Sequence, residues 1–229
     1  MTAPTKLTID IYSDVMCPWC IIGYAQLQKG LAQLAGEIEA EVRWLPFELN
    51  PDMPPEGEPQ AEHIMRKYGR TAEQAAAGRE QTFAVGERAG YSFGYTGPGE
   101  APEGMMRNTF VAHKLLKWAL IEGGAALQTR LKLALFDAHF QQRRDVSDAD
   151  VLVELAAAQG LDPVGARAAL SDEALGLIVK REEAQAYDMN VTGVPAMLIQ
   201  GKYMIPGAQE PEVYVNALRR VVEREARAA

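Results

Sequence analysis

The chain has 229 residues, of which 48% are hydrophobic and 24% charged, so it is long enough for one large domain or a domain with a sizeable insertion. Its 23 lysines and arginines face 31 aspartates and glutamates, which gives a formal net charge of −8. Such an acidic chain without a basic run is a poor candidate for binding nucleic acid or an anionic membrane surface, whose phosphates attract basic residues. It has no apolar run that would span a bilayer and no secretory signal pattern, so we expect a cytoplasmic protein.

The first predicted elements form a β-α-β unit. Residues 7–12 are rich in β-formers and predict a strand, and apolar residues at helical spacing predict a helix over 21–34 that ends at Gly36. Residues 41–47 predict a second strand, with Pro46 near its exit. A strand, a helix and a strand of these lengths imply a parallel, right-handed pair of strands.

The middle of the chain is predicted to be helical. A loop over residues 50–59 carries four prolines and precedes it. The predicted helices, several of them with capping residues at their starts, are 61–68, 71–89, 107–122, 125–140, 148–159, 163–169 and 172–188. A glycine- and proline-rich loop interrupts them at 90–104, and its aromatic residues Tyr91, Phe93 and Tyr95 form either a mobile lid or packing against the helices.

Strand signals return after the helices. Residues 196–199 and 203–205 flank a glycine turn, which predicts a hairpin, and a last helix begins at about Glu210. The element order is therefore β-α-β, many helices, and β-β-α. We predict an α/β fold in which the two ends of the chain share one sheet and the helical middle is inserted between them.

The chain contains two cysteines, Cys17 and Cys20, which lie one turn apart at the start of the first predicted helix. Free N–H groups and the positive end of the helix dipole stabilise a thiolate there, so we expect Cys17 to be the activated, attacking sulfur. Cys20 lies close enough to attack a disulfide formed at Cys17, which makes it the resolving thiol. Between them, Pro18 restricts the turn and Trp19 carries an uncharged indole. The pattern favours thiol–disulfide exchange.

A zinc site is the main alternative use of two close cysteines. A structural zinc ion usually takes four ligands, and the three histidines, His63, His113 and His139, all lie in the helical middle. We therefore expect no metal. His113 either reaches the cysteines or is an ordinary buried helical histidine, which is the interpretation we favour.

A second segment bears on the redox hypothesis. Thr192-Gly193-Val194-Pro195 precedes the predicted strand at 196–199. If the Val194–Pro195 bond is cis, the backbone N–H and C=O of Val194 are free to meet an incoming peptide. An ordinary proline at the first residue of a strand is the alternative, and this segment alone favours that alternative.

Five short segments form a specific set, although each is weak alone: Ser13-Asp14-Val15-Met16-Cys17-Pro18-Trp19-Cys20, Pro46-Phe47-Glu48-Leu49-Asn50-Pro51, Asn108-Thr109-Phe110-Val111-Ala112-His113, Val191-Thr192-Gly193-Val194-Pro195 and Ile205-Pro206-Gly207-Ala208-Gln209. Together they resemble the thioredoxin superfamily, and specifically its DsbA branch with an inserted helical domain. The closer likeness is to FrnE-like proteins, which are often cytoplasmic. Those are related to 2-hydroxychromene-2-carboxylate isomerases and kappa-class glutathione transferases.

The resemblance implies a thioredoxin fold with a large all-helical insertion. Residues 1–55 and 187–229 would form a discontinuous thioredoxin-like domain, and residues 56–186 the inserted helical domain. It also implies that Cys17 is the nucleophile, Cys20 the resolving thiol and Pro195 a cis-proline facing them. The substrate-binding residues expected from it are Pro18, Trp19, Val194 and Pro195.

The expected function is a thiol–disulfide oxidoreductase that acts on protein or small-molecule disulfides. It needs no dissociable cofactor, because the disulfide itself carries the electrons, and glutathione is a possible substrate. We expect a monomer or a homodimer. Two alternatives stay open: a glutathione-dependent isomerase or transferase, in which serine usually replaces the first cysteine, and a non-catalytic, chaperone-like module.

One position departs from the superfamily pattern. A buried carboxylate often lies six residues before the first cysteine, and Ile11 stands there in this chain. Asp10 is one residue away, which on a strand is the opposite face. The sequence therefore leaves open which group takes the proton of Cys20, with water or Glu48 as the candidates.

Overall fold

In a computed structural model that describes residues 3–228, the two ends of the chain form one sheet, as predicted. The strands are β1 (Thr5–Ser13), β2 (Ile38–Pro46), β3 (Glu58–Pro59), β4 (Met105–Met106), β5 (Ala196–Ile199) and β6 (Tyr203–Pro206). The helices are α1 (Pro18–Gln33), α2 (Gln60–Tyr68), α3 (Ala72–Ala89), α4 (Phe110–Phe140), α5 (Ala149–Ala158), α6 (Pro163–Ser171), α7 (Glu173–Asp188) and α8 (Pro211–Ala228).

The main sheet has the strand order β2-β1-β5-β6. Strands β1 and β2 are parallel, as the β-α-β prediction requires, whereas β5 and β6 run antiparallel to their neighbours. Strand β1 is buried along its second half. Beside it, α1 and α8 pack against each other, and the insertion helices α4 and α7 pack against β2. This is the thioredoxin fold with a helical insertion that the resemblance implied.

The insertion differs from its prediction in two places. Strands β3 and β4 form a separate two-stranded antiparallel pair. Each strand has only two residues, and β3 contains Pro59, so neither strand leaves a periodic pattern in the sequence. The two helices predicted on either side of residues 123–124 are continuous as α4 except for a kink at Gly124, whose φ of 72° suits a residue without a Cβ.

The insertion packs directly on the sheet. Phe136 and Phe140 of α4 are buried in the same cluster as the β1 residues Ile9 and Ile11. Phe93, from the loop after α3, also joins that cluster and is 1% exposed. The aromatic loop is therefore packing and not a mobile lid, whereas the division into two domains stays a prediction.

Helix α4 is fixed to the sheet by one side chain in particular. Gln128 is fully buried, and its amide accepts a hydrogen bond from the Trp44 N–H at 2.9 Å and donates one to the Trp44 carbonyl at 2.8 Å. In the described part of the chain, β2 is an edge strand, and these two bonds satisfy backbone groups on its open side. They also fix the rotation of α4, so the residue one turn further along, Lys132, faces the same side.

Candidate active site at the first turn of helix α1

The two cysteines lie at the start of α1, after the turn that follows β1. Cys17 is the N-cap residue of α1 and Pro18 its first helical residue, as the sequence predicted. The Cys17 N–H donates to the Asp14 carbonyl at 3.2 Å, which closes the turn after β1. Cys17 is 4% exposed and Cys20 is fully buried. The chain geometry therefore leaves Cys17 as the more accessible of two neighbouring thiols.

A second segment closes over Cys17. The Val194–Pro195 peptide bond is cis, and the Val194 carbonyl oxygen lies 3.6 Å from Cys17 Sγ, whose thiol donates to it. Pro195 packs against α1 at Gly23, where an added Cβ would meet the proline ring at 3.0 Å. Glycine at this position therefore permits the close approach of the two segments.

The surface around the pair is partly apolar. Trp19 is 42% exposed, Pro18 and Val194 are half-buried, and Pro195 is buried. The structure thus brings together the six residues that the sequence analysis named. An extended chain lying on this surface would meet the indole of Trp19 and the backbone of Val194.

The two thiols have different electrostatic surroundings. The hydrogen bond with Cys20 and burial raise the pKa of Cys17 well above its usual value, and the nearby charge of Asp14 adds to this. Burial also acts to raise the pKa of Cys20, but the hydrogen bond from Cys17, the charge of Lys132 and the Ser13 hydroxyl together lower it. The charge of Lys132 therefore acts on Cys20, and the assignment of Cys17 as the attacking thiolate stays a prediction.

Different groups act on the two thiols. The helix start offers Cys17 the Cys20 N–H, which lowers its pKa, whereas burial and the charge of Asp14 raise it. The cationic neighbour, Lys132, lowers the pKa of Cys20 instead.

Asp14 lies in the turn before the cysteines, and its sequence position alone assigns it no role. Its side chain is 1% exposed, and its two oxygens accept hydrogen bonds from the N–H groups of Met16 at 3.2 Å and Leu49 at 2.8 Å. Burial raises its pKa, while these N–H groups and Lys132 oppose the rise. Asp14 thereby ties the turn before the cysteines to the segment after β2.

Lys132 is the other group that sequence reasoning missed. It is fully buried, and its Nζ lies 3.5 Å from the Ser13 carbonyl oxygen, 5.3 Å from the ring centroid of Trp44 and 4.9 Å from that of Phe136. Burial lowers its pKa to about 8, against the opposing charges of Cys20 and Asp14. Its helix is far from the cysteines in the sequence, and a single lysine in an apolar helix carries no specific signal.

The carboxylates that the sequence analysis considered are engaged elsewhere. Glu48 is buried and accepts a hydrogen bond from Lys180 Nζ at 2.5 Å. Asp10 forms a two-point ion pair with Arg43, at 2.6 and 2.8 Å, on the face of β1 opposite Ile11. Neither carboxylate is among the groups that shift the pKa of Cys20.

His113 is buried within α4, as favoured from its helical position. Burial, together with the charges of Lys132 and Lys180, lowers its pKa well below the usual value, so it is neutral. Within residues 3–228 no group of three or more His, Cys, Asp or Glu side chains is arranged to hold a metal ion. No helix in that part of the chain is long and apolar enough to cross a membrane.

Comparisons with known proteins agree with this architecture. A family model described as the DSBA-like thioredoxin domain matches residues 8–219. The uncharacterised protein YwbO of Bacillus subtilis (strain 168) is 28% identical over 211 residues, which cover 92% of this chain and 94% of that protein. A crystal structure of a probable DsbA oxidoreductase from Streptomyces coelicolor is 33% identical, with a TM-score of 0.81, and the match covers 93% of this chain and 89% of the other.

A more distant structure shares the fold alone. The cytosolic disulfide reductase DsbM from Pseudomonas aeruginosa, solved with GSH, is 16% identical with a TM-score of 0.62, and the match covers 94% of this chain and 99% of the other. The family model spans nearly the whole chain, and the resemblance to the DsbA branch is confirmed. The chain belongs to the DSBA-like thioredoxin domain family.

Proposed function

We propose that this protein is a thiol–disulfide oxidoreductase that uses Cys17 and Cys20 as its redox pair. The observation that carries the proposal is the position of Cys17 Sγ, which lies 3.6 Å from the Val194 carbonyl beside Pro195, at the start of the helix that carries Cys20. One sulfur therefore faces both a second thiol and a backbone segment that a substrate chain can pair with. Family membership supports the same class of reaction.

The reaction has two exchange steps. In the first step, Cys17 loses its proton and its thiolate attacks a substrate disulfide. The substrate S–S bond breaks, a mixed disulfide forms at Cys17, and one substrate sulfur leaves as a thiolate.

In the second step, Cys20 loses its proton and its thiolate attacks the Cys17 sulfur. The Cys17–Cys20 disulfide forms and the second substrate thiolate leaves. Two electrons pass to the substrate, and the two protons given up by the dithiol are balanced by two taken up by substrate thiolates. The same steps in reverse oxidise a substrate dithiol.

Substrates are protein or small-molecule disulfides, and glutathione is the small thiol that we place first among candidates. Trp19 and Pro18 supply apolar contact, and Val194 supplies backbone groups, so the surface suits an extended peptide. No dissociable cofactor takes part. The proposed location is the cytoplasm, with the protein acting as a monomer or a homodimer.

The test is the reduction of insulin disulfides by the wild type, Cys17→Ser and Cys20→Ser, with dithiothreitol as the electron source. We expect the wild type to accelerate the reaction and Cys17→Ser to fall to the uncatalysed rate, because the mixed disulfide can no longer form. Equal rates for the wild type and Cys17→Ser contradict the proposal and leave the non-catalytic module as the better interpretation.

A glutathione-dependent isomerase or transferase makes a different prediction. There the reacting thiol belongs to bound glutathione, so activity survives Cys20→Ser. Tight glutathione binding together with transferase activity in Cys20→Ser favours this alternative. Loss of insulin reduction in the same variant favours the redox pair.

A further inference from the structure

Lys132 is a buried cation with aromatic rings around it and few polar partners. Its ammonium group is fully buried, yet its hydrogen-bond acceptor is a single carbonyl, that of Ser13, at 3.5 Å. No carboxylate in the described part of the chain forms an ion pair with it. An ammonium group buried with so few partners is costly, because it has lost its water shell.

The groups that face this ammonium come from three elements. Cys17 and Cys20 belong to α1, Asp14 to the turn after β1, and His113 to α4 itself. His113 is neutral and Asp14 is already bound by two backbone N–H groups. Among the groups that face Lys132, the Asp14 carboxylate and a cysteine thiolate are therefore the anions that it can compensate.

The register of the sheet fixes which side Lys132 occupies. Ile11 of β1 lies opposite Trp44 of β2, so both point to the face that α4 covers. Lys132 Nζ lies over the Trp44 ring, whereas Asp10 and Arg43 pair on the other face. On this face of β1, the residue six positions before Cys17 is the apolar Ile11, and the cation that lies there is Lys132 of the insertion helix α4. Cys20 also neighbours Tyr214 of α8, whose pKa is raised to about 12, so it is neutral.

We propose that the Lys132 ammonium is the buried cation that stabilises the thiolate of Cys20 in the resolving step. This inference rests on the proposed redox function of the cysteine pair. In the mixed disulfide, Cys20–SH releases its proton to solvent, and the ammonium ion stabilises the thiolate that then attacks the Cys17 sulfur. The Cys17–Cys20 disulfide forms, the mixed disulfide breaks, and the released substrate thiolate takes up a proton from solvent. In reverse, the ammonium ion stabilises Cys20 as the leaving thiolate.

The ionisation of Lys132 suits this role. Burial lowers its pKa to about 8, and the charges of Cys20, Asp14 and Cys17 act against that decrease. With a pKa of about 8, the Lys132 side chain is mostly protonated at neutral pH, so it carries the positive charge that this role requires.

The test measures the ionisation of Cys20 without any substrate. In a Cys17→Ser background, the thiolate absorbance of Cys20 is titrated with and without Lys132→Met. We expect the Met variant to hold a tenfold or more smaller thiolate fraction at neutral pH, since an adjacent opposite charge moves a pKa by about 1 to 3 units. Lys132→Arg keeps the charge and is expected to restore most of the thiolate. Superimposable Cys20 titration curves for the protein with Lys132 and for the Lys132→Met variant overturn the proposal.

Lys114→Met is the matched control. Lys114 is also buried in α4, but its Nζ donates to the Leu170 carbonyl at 2.7 Å and it is not among the groups that shift the pKa of either cysteine. This variant is expected to leave the Cys20 titration unchanged. An equal shift in both variants means that any lost buried lysine disturbs the site, which contradicts the specific role of Lys132.

A measurement on the unmodified protein covers the case in which Lys132→Met does not fold. The Lys132 ammonium is titrated by NMR in the dithiol and in the disulfide form. We expect a higher pKa in the dithiol form, because coupling between two ionising groups is reciprocal. Identical pKa values in the two forms rule out the proposed coupling. A shift found in a protein that does not reduce insulin would support the inference about Lys132 and reject the proposed function.

Discussion

The two halves of α4, on either side of Gly124, each bury one lysine, and the two lysines are treated differently. Lys114 in the first half is 6% exposed and donates a short hydrogen bond, 2.7 Å, to the Leu170 carbonyl. Lys132 in the second half is fully buried, 3.5 Å from its nearest acceptor, and surrounded by aromatic rings and the cysteine pair. The first lysine completes a hydrogen bond that the fold needs. The second carries a charge that the fold tolerates and the redox pair uses.

The comparison teaches that burial alone does not mark a functional charge. A buried polar group that has found its partner contributes to stability, whereas one with few partners costs stability and needs another reason to be there. Replacing the two lysines should therefore change stability in opposite directions.

The largest expected effect is on the free energy of unfolding of the reduced protein. Lys132→Met should raise it by up to about 3 kcal/mol at neutral pH, because the buried ammonium is no longer desolvated and a pKa lowered to about 8 represents a cost of this order. Lys114→Met should lower it by about 1–3 kcal/mol, because the Leu170 carbonyl loses its donor. Urea denaturation of both variants measures the two free energies of unfolding. Two changes of the same sign would contradict the different roles assigned to Lys114 and Lys132.

The pH dependence of stability gives the next effect. The folded-state pKa of Lys132, about 8, lies below its unfolded value, so the unfolded chain binds more protons between about pH 8 and 10.5. Stability gained from this group is complete above that window and is lost as the pH falls through it. Wild-type stability should therefore rise across the window by more than that of Lys132→Met. Parallel curves for the two proteins would mean that Lys132 keeps an ordinary pKa.

Each half of α4 also buries one histidine. Burial lowers the pKa of His139 to about 3 and that of His113 well below its usual value. Their folded-state pKa values lie below the unfolded ones, so their contribution to stability is present above about pH 6.5 and is lost as the pH falls. Between neutral pH and about pH 5, the loss from His139 should be about 2 kcal/mol. His139→Leu should show a loss smaller by that amount in urea denaturation at the two pH values, and an unchanged loss excludes this histidine as a cause.

The smallest expected effect is at Asp10. Its carboxylate pairs with Arg43 on the face of β1 away from Lys132, so Asp10→Asn should leave the Cys20 titration and the pH profile of insulin reduction unchanged. Stopped-flow rates over a pH series measure this. A displaced profile would show that the carboxylate acts on the cysteines across the sheet, which the comparison of the two faces does not allow.

Much of the fold and part of the site could be predicted from local patterns. The β-α-β start, the hairpin and the position of Cys17 at a helix start all leave short-range signals, and the break in α4 is marked by Gly123 and Gly124. Val194 and Pro195 were expected to face the pair because of the resemblance, not because of their own pattern.

The remaining features depend on contacts between segments that are distant in the sequence. Lys132 lies among leucines in a helix, and nothing in that pattern says that its Nζ reaches Ser13 beside the cysteines. Its direction is set by Gln128, which pairs with the Trp44 backbone across the edge of the sheet. The charged neighbours of the cysteines could not be predicted either, because the helix start is visible in the sequence but the burial of Asp14 and Lys132 is not.

The most direct test of the redox assignment is a trapping experiment with Cys20→Ser. Without the resolving thiol, a mixed disulfide with the substrate should accumulate on Cys17, be released by dithiothreitol and identify the partner by mass spectrometry. A matched Cys17→Ser protein should trap nothing at this position. If Cys20→Ser traps no thiol while the wild type reduces disulfides, the roles assigned to Cys17 and Cys20 are contradicted.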